Sequence, residues 1–168
     1  MTMALMLLGV AMVQSSPDLG KAAGRCAPRQ DGAAFLVDVI GLKDRRGLLK
    51  LELYPANDHD LLADDNVLIN AGKPFARVEG PIPPTGPITL CIRAPGPGSY
   101  ALSLLHDRNQ DRKFTLSSDG IGFSGNPKLR WSKPAAADVQ VAVGSDPVRV
   151  PIRLNYRNGL FSVAPLKD

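Results

Sequence analysis

Gly47–Tyr54 reads GLLKLELY, and the order of its side chains decides the fold. Leu49, Leu51 and Leu53 alternate with Lys50 and Glu52, the period-two pattern of a strand with one apolar and one charged face. The same grammar recurs on either side. Upstream, Ala33–Ile40 (AAFLVDVI) alternates around Val37 and Val39. The polar stretch Lys43-Asp44-Arg45-Arg46-Gly47 ends in a residue suited to positive φ, so the two runs read as a β-hairpin. Downstream, Phe75–Val78, Ile88–Ile92, Ser99–His106, Val139–Val143 and Val148–Tyr156 read as further strands. Gly80–Pro87 (GPIPPTGP) and Ala94–Gly98 (APGPG) interrupt the ladders between them. In VRVPIRLNY, Val148, Val150, Ile152 and Leu154 share one face and Arg149, Pro151, Arg153 and Asn155 the other. Pro151 has no N–H to donate, which places this strand at an edge or at a bulge, and its charged face discourages pairing with another chain. Asp58–Asn70 reads as a loop or as a short helix capped by Asp58 or Asp60. About seven short strands punctuated by Gly and Pro make an antiparallel β-sandwich, immunoglobulin-like or transthyretin-like.

Composition agrees with that reading and narrows it. A chain of 168 residues suits one domain rather than a two-domain enzyme, and 44% hydrophobic with 21% charged residues describes a globular chain. The 16 Gly and 15 Pro exclude a helix bundle. The formal charge of +4 is carried by scattered residues (Lys43, Arg45, Arg46 and Lys50; Arg108, Arg112 and Lys113; Arg149 and Arg153), and aromatics are only 5%. Nucleic-acid binding would want those cations on one face among exposed aromatics, so no nucleic-acid partner is expected. Attraction to an anionic envelope surface fits the charge better.

Met3–Val13 (MALMLLGVAMV) is an uncharged apolar run of eleven residues, too short for a membrane span of about 20 and suited to a secretory leader. The alternative is a buried apolar N-terminal strand or helix. Residues 1–24 are read as signal peptide and short linker, with cleavage near Ser15–Ser16 or at Ala22-Ala23-Gly24, and residues 25–168 as one domain without a transmembrane span. Periplasmic or secreted localisation follows. Cys26 and Cys91 are the only cysteines, and in an oxidising compartment an even count favours a bridge. Closing a loop of that length would stabilise the fold by about 4 kcal/mol on the chain-entropy model. Two buried free thiols are the alternative. Arg25 stands where a lipobox needs a small residue, and no Cys-x-x-Cys occurs.

The most informative stretch is Gly98-Ser99-Tyr100-Ala101, then His106-Asp107-Arg108-Asn109-Gln110-Asp111-Arg112-Lys113, then Gly120-Ile121-Gly122-Phe123-Ser124-Gly125-Asn126. It resembles the bacterial domain-of-unknown-function family numbered 2141, in which G-x-Y-A is followed by H-D-x-N-x-N/D-G-K and G-x-G-F-S-x-N. The resemblance runs loosely from Cys26 to Tyr156 and implies an exported β-sandwich-like protein, with no catalytic residues to carry over. This chain departs from the pattern at Arg112, where Gly is usual, and at Thr115, where an acid is common.

Both departures bear on a candidate ion site. Asp107, Asn109 and Asp111 stand at i, i+2 and i+4, the spacing that wraps three oxygen-bearing side chains around a hard cation such as calcium. An EF-hand-like loop wants Gly at position six and a bidentate Glu at position twelve, whereas here Arg112 and Ser118 stand there. Asp119 could substitute as a ligand and Lys113 could offer its backbone carbonyl. The competing reading is that the Asp and Asn side chains brace a turn by accepting nearby backbone amides. Asp58, Asp60, Asp64 and Asp65 form a second acidic cluster, read as a solvated loop with a helix cap ahead of a cation site. Gly120, Gly122 and Gly125 match neither the dinucleotide nor the Walker pattern and read as glycines of a wide loop packed on the sandwich, anchored by Phe123 and Trp131. An aromatic ligand platform is the sharper reading of those two rings.

A catalytic constellation is missing. His59 and His106 are the only histidines, no G-x-S-x-G occurs, Ser124 has no partner base in sequence, and His106-Asp107 lacks the further ligands of a metal-dependent hydrolase. The expectation is therefore a non-enzymatic binding or structural module without a resident cofactor, taking an envelope component or a small ligand. A calcium-stabilised, adhesion-like or carbohydrate-interacting module is the alternative, and a metal-dependent hydrolase the third.

Overall fold

The computed structural model describes residues 11–130, 132–160 and 162–167. Most of the apolar run Met3–Val13, and Trp131 with its anchoring role, lie outside the described residues.

The strands are β1 (Ala34–Ile40), β2 (Leu48–Pro55), β3 (Ala76–Pro81), β4 (Thr89–Arg93), β5 (Gly98–Asp107), β6 (Gly120–Phe123), β7 (Gln140–Val143), β8 (Val148–Arg153), β9 (Asn155–Arg157) and β10 (Val163–Pro165). Three short helices punctuate them: α1 (Lys21–Gly24), α2 (Asp65–Asn70) and α3 (Ala136–Val139). They form two sheets. The smaller is ordered β4-β1-β8, and the larger β10-β9-β6-β5-β2-β3, with β7 also paired to β5. This is a β-sandwich with more strands than the seven the sequence suggests, and it is not wholly antiparallel, because β1 pairs with β8 in parallel.

Alternation in the sequence becomes the space between the sheets. Phe35 and Val37 of β1, Ile92 of β4 and Val150 and Ile152 of β8 pack against Leu49, Leu51 and Leu53 of β2 and Leu102 and Leu104 of β5. β8 forms an edge of the smaller sheet, the position Pro151 demands. There Asn126 covers it, donating from Nδ2 to the Pro151 carbonyl and accepting the Arg153 N–H. Cys26 and Cys91 form the expected disulfide, with Cα atoms 6.0 Å apart across a sequence separation of 65.

The hairpin between β1 and β2 is not formed, because both edges of each strand are taken by other partners: β4 and β8 flank β1, and β3 and β5 flank β2. The segment between them crosses from one sheet to the other instead. Asp44 receives the Arg108 guanidinium at 3.0 Å, and Arg45 donates to the Gly86 carbonyl at 2.7 Å. Gly47 takes φ +80° and lies so close to the Asp107 carbonyl that a Cβ would stand 2.0 Å from that oxygen.

A second apolar cluster covers the outer face of the larger sheet. Tyr54, Ala101, Phe123 and Val139 meet Leu61, Leu68, Phe75 and Ala136 there. This cover explains why alternation fades along β5, whose residues from Tyr100 to Asp107 are all buried. Beside that cluster the outer face is charged but equally covered. Arg77 donates to Glu52 Oε1 at 2.8 Å and Asp65 Oδ2 at 3.2 Å, and Tyr54 donates to Glu52 Oε2 at 2.8 Å. Burial works against the Arg77 charge, but Glu52 and Asp65 outweigh it and leave its pKa raised.

The acidic cluster accordingly disperses. Asp64, not Asp58 or Asp60, sits at the N-cap of α2, without a side-chain cap bond. Asp58 accepts the Ala136 N–H at the start of α3 at 2.7 Å, and Asp65 holds Arg77. Asp60 is buried and receives Lys73 at 2.6 Å, an interaction that, with His59 and Asn57, pushes its pKa well below the usual carboxylate range.

Candidate binding cleft

The G-F-S stretch is strand rather than loop. Gly120 and Gly122 lie in β6 opposite His106 and Leu104, facing the interior where the β8–β9 corner crosses over. At Gly120 a Cβ would stand 2.4 Å from the Tyr156 ring, so a larger residue would push that ring away. Phe123, paired with Ser103, faces outward and is buried in the outer cluster. Ser124 fills a gap that the sequence did not disclose. On one side of β5 the ladder passes from β6 (partners of Ser103–His106) to β7 (partners of Gly98–Ala101), leaving Leu102 between them. Ser124 Oγ accepts the Leu102 N–H at 3.0 Å, its N–H donates to the Leu102 carbonyl at 3.0 Å, and its hydroxyl donates to the Val139 carbonyl. The hydroxyl is consumed by the backbone and fully buried.

His106 is consumed in the same way. Its ring is fully buried, Nε2–H donates to the Arg46 carbonyl at 2.8 Å, and Nδ1 accepts the Tyr156 hydroxyl proton at 2.6 Å. Tyr156 Oη in turn accepts the Lys43 N–H at 3.0 Å, so the imidazole and phenol tie down the crossover on both sides of Asp44. Burial, only partly offset by the Arg46 carbonyl and the Asp44 carboxylate, lowers the His106 pKa. Burial likewise pushes the Tyr156 hydroxyl up to about 12.

A pH dependence follows from that lowered value. Unfolded imidazole, with a pKa of about 6.5, takes up its proton before the native ring does, so acidification stabilises the unfolded state. Stability is expected to hold above about pH 7 and to fall as pH drops below about 6.5, levelling off only when the native imidazole itself is protonated. Asp44, at 3.8 Å from Nε2, moderates this loss but does not reverse its sign. Thermal unfolding of the wild type and His106→Gln between pH 5 and 7.5, above the carboxylate range, checks it: the loss of stability on acidification should be smaller in the variant.

The Asp107–Asp119 loop is closed by its own carboxylates. Asp107 Oδ1 and Oδ2 accept the Gln110 and Arg112 N–H groups, each at 2.7 Å. Asp119 Oδ1 accepts the Arg108 N–H at 3.0 Å and its Oδ2 the Thr115 N–H at 2.8 Å. Asp111 Oδ1 accepts the Lys113 N–H at 2.9 Å, which holds its pKa below the usual range, and Oδ2 accepts from Asn109 and Thr115. Thr115 can donate where an acid could not. Carboxylate oxygens of Asp107, Asp111 and Asp119 lie within 4.8 Å of one another, so the structure gathers three of the residues singled out for a cation. Asn109 turns its carbonyl oxygen to the Asp111 N–H and Lys113 serves through its own N–H, which is the geometry of a braced turn. Gln110 and Arg112 take φ +62° and +63°, and Arg112 is the position at which the family pattern has Gly.

What the braced loop presents is apolar. Phe114 and Leu116 lean over the outer face of the larger sheet and, with Leu62, Phe123 and Leu129, enclose a cleft of about 540 Å³. Arg130 and Lys133 are among its lining residues, the Lys133 ammonium donating to the Asp58 and Leu61 carbonyls, Ser132 and Ser162 add hydroxyls, and no acidic residue lines it among the described residues. Phe114 is 41% and Leu62 39% exposed, so the walls are open to a ligand. The volume is within the range of small-molecule sites, about 300–1,000 Å³. Only Phe123 among these walls was singled out in sequence; the others carry no motif.

The fold and cleft together define a disulfide-linked β-sandwich with a loop-walled apolar cavity on the outer face of its larger sheet. The chain belongs to the family described as an uncharacterised protein conserved in bacteria (DUF2141), whose model matches residues 37–151. That span runs from β1 into β8 and contains the braced loop, Ser124 and most of the cleft. No curated protein and no solved structure matches the chain.

Proposed function

We propose that this chain is an exported, non-enzymatic binding module of the bacterial periplasm or envelope, and that its ligand is a small amphiphile with an apolar body and an anionic head. The carrying observation is the cleft: apolar walls from Leu62, Phe114, Leu116, Phe123 and Leu129 with, among the described residues, only the cations Arg130 and Lys133 as charged lining residues. An apolar body buried there gains roughly 25 cal/mol per Å² removed from water, and an anionic head meets charge of opposite sign from Arg130 and Lys133. The Cys26–Cys91 disulfide supports an oxidising compartment. Among the described residues no helix is long and apolar enough to cross a membrane. The absence of a catalytic role is supported by burial of His106 and Ser124, whose polar atoms are engaged by Tyr156 and the backbone.

The test uses 1-anilinonaphthalene-8-sulfonate as a fluorescent anionic probe and dodecanoate as competitor. Saturable binding to the folded protein, displaced by dodecanoate and weakened about tenfold or more by Leu129→Glu, is the expected result. Binding that ignores this substitution, or no binding at millimolar probe, overturns the proposal. A calcium-stabilised module, in which Asp107, Asp111 and Asp119 would be the ligands, is the second reading.

A further inference from the structure

The N-terminal stretch that the sequence divides between leader and linker is bound along its length to the sandwich. Arg77, its side chain only 10% exposed, donates from Nη1 to the Ser16 and Pro17 carbonyls at 3.1 and 3.3 Å, and its N–H donates to the Gly20 carbonyl at 3.0 Å. Arg93 donates to the Ala23 carbonyl at 3.1 Å, and Lys21 lies 3.7 Å from the buried Glu79 carboxylate. Gly24 packs on the Arg77 backbone so tightly that a Cβ would meet the Arg77 carbonyl at 2.7 Å. Among the described residues before Ser16, the hydrogen bonds to the sandwich come from Val13, which is exposed and exchanges two with Asn70. Residues 16–24 therefore pack on the sandwich.

We infer that the Ser15–Ser16 peptide bond is the processing site of this chain, cut by a signal peptidase as the protein is exported. The inference rests on the export reading above. Water adds across that amide, leaving a carboxylate on Ser15 and an amino group on Ser16. Val13 and Ser15 supply small side chains at the third and first positions before the cut, as the enzyme requires. A cut after Gly24, with Ala22 at the third position before it, meets the same side-chain requirement, but it would remove every contact just described. The Arg77 guanidinium would lose both carbonyl acceptors, Glu79 its Lys21 partner and the Phe75 ring its cover at Gly20, where a Cβ would stand 2.8 Å away. A cut at Ser15–Ser16 keeps all of these and, among the described residues, gives up the exposed Val13–Asn70 hydrogen bonds.

The experiment is intact-mass and N-terminal analysis of the full chain recovered from periplasm or medium of its producing bacterium, with Ser15→Leu and Ala22→Leu alongside. A mature chain beginning at Ser16, lost in Ser15→Leu and unchanged in Ala22→Leu, is expected. An exported chain beginning at any other residue overturns the assigned bond while leaving export standing. A full-length chain confined to the cytoplasm overturns both.

Discussion

Arg77→Met is expected to destabilise the protein by about 3–5 kcal/mol, the range for removing one partner from a buried charge cluster. At this chain length that corresponds to a fall in the unfolding midpoint of roughly 10 °C. Glu52 and Asp65, 6% exposed each, would keep their charges with no guanidinium between them, and the Ser16 and Pro17 carbonyls would lose their donor. The cost is that of stranded charge rather than of a missing contact, and a second variant separates the two. Glu52→Gln/Asp65→Asn/Arg77→Met removes all three charges, and it should recover much of the loss because well-packed neutral groups are often as stable as a buried ion pair. If the triple variant is as unstable as Arg77→Met alone, the charge argument is wrong. If Arg77→Met costs less than about 1 kcal/mol, the cluster behaves as an exposed pair.

This cluster also marks where sequence reading stops. Lys50 and Glu52 alternate with leucines, so they read as a solvated face, and locally nothing distinguishes them from one. What covers Glu52 is Arg77 with Asp65 and the residues 16–24 held against Arg77, and what holds half-buried Lys50 is the Arg112 carbonyl, which are long-range facts. Period-two alternation does identify the apolar faces of β2 and β8, because burial on one face leaves a local pattern. It cannot choose partners. The Ala33–Ile40 and Gly47–Tyr54 runs look like a hairpin because neighbouring strands commonly pair. Here the edges of β1 are taken by β4 and β8, the latter more than a hundred residues away. Within the loop the Asp-Asn-Asp spacing is legible, and so is the disulfide. The cleft is not, since Leu62, Leu116 and Leu129 come from three separate segments joined only by the fold.

The loop and the cleft are mechanically one object, and Asp107→Ala tests this. Asp107 is fully buried, and both of its oxygens accept backbone N–H groups that no other side chain reaches. Charge-assisted bonds contribute about 1.5–3 kcal/mol each, so the substitution is expected to cost about 4 kcal/mol and to leave the Gln110 and Arg112 amides unpaired. Those residues hold positive φ without being glycine, a conformation that persists only while the surroundings enforce it. Release of the turn should let Phe114 and Leu116 leave the cleft, so the anionic probe should bind more weakly to the folded variant as well. Thermal unfolding with calcium titrated against a chelator completes the argument. In the braced-turn reading the wild-type midpoint is unchanged at millimolar calcium, and Asp107→Ala is destabilised equally with and without the ion. A midpoint that rises with calcium in the wild type and not in the variant would instead make Asp107, Asp111 and Asp119 ligands, because an ion bound only to the native state raises stability with its concentration. In that case the wall of the cleft would be set by calcium, and probe binding should follow the ion. In the braced turn, probe affinity follows Asp107 and is indifferent to chelation.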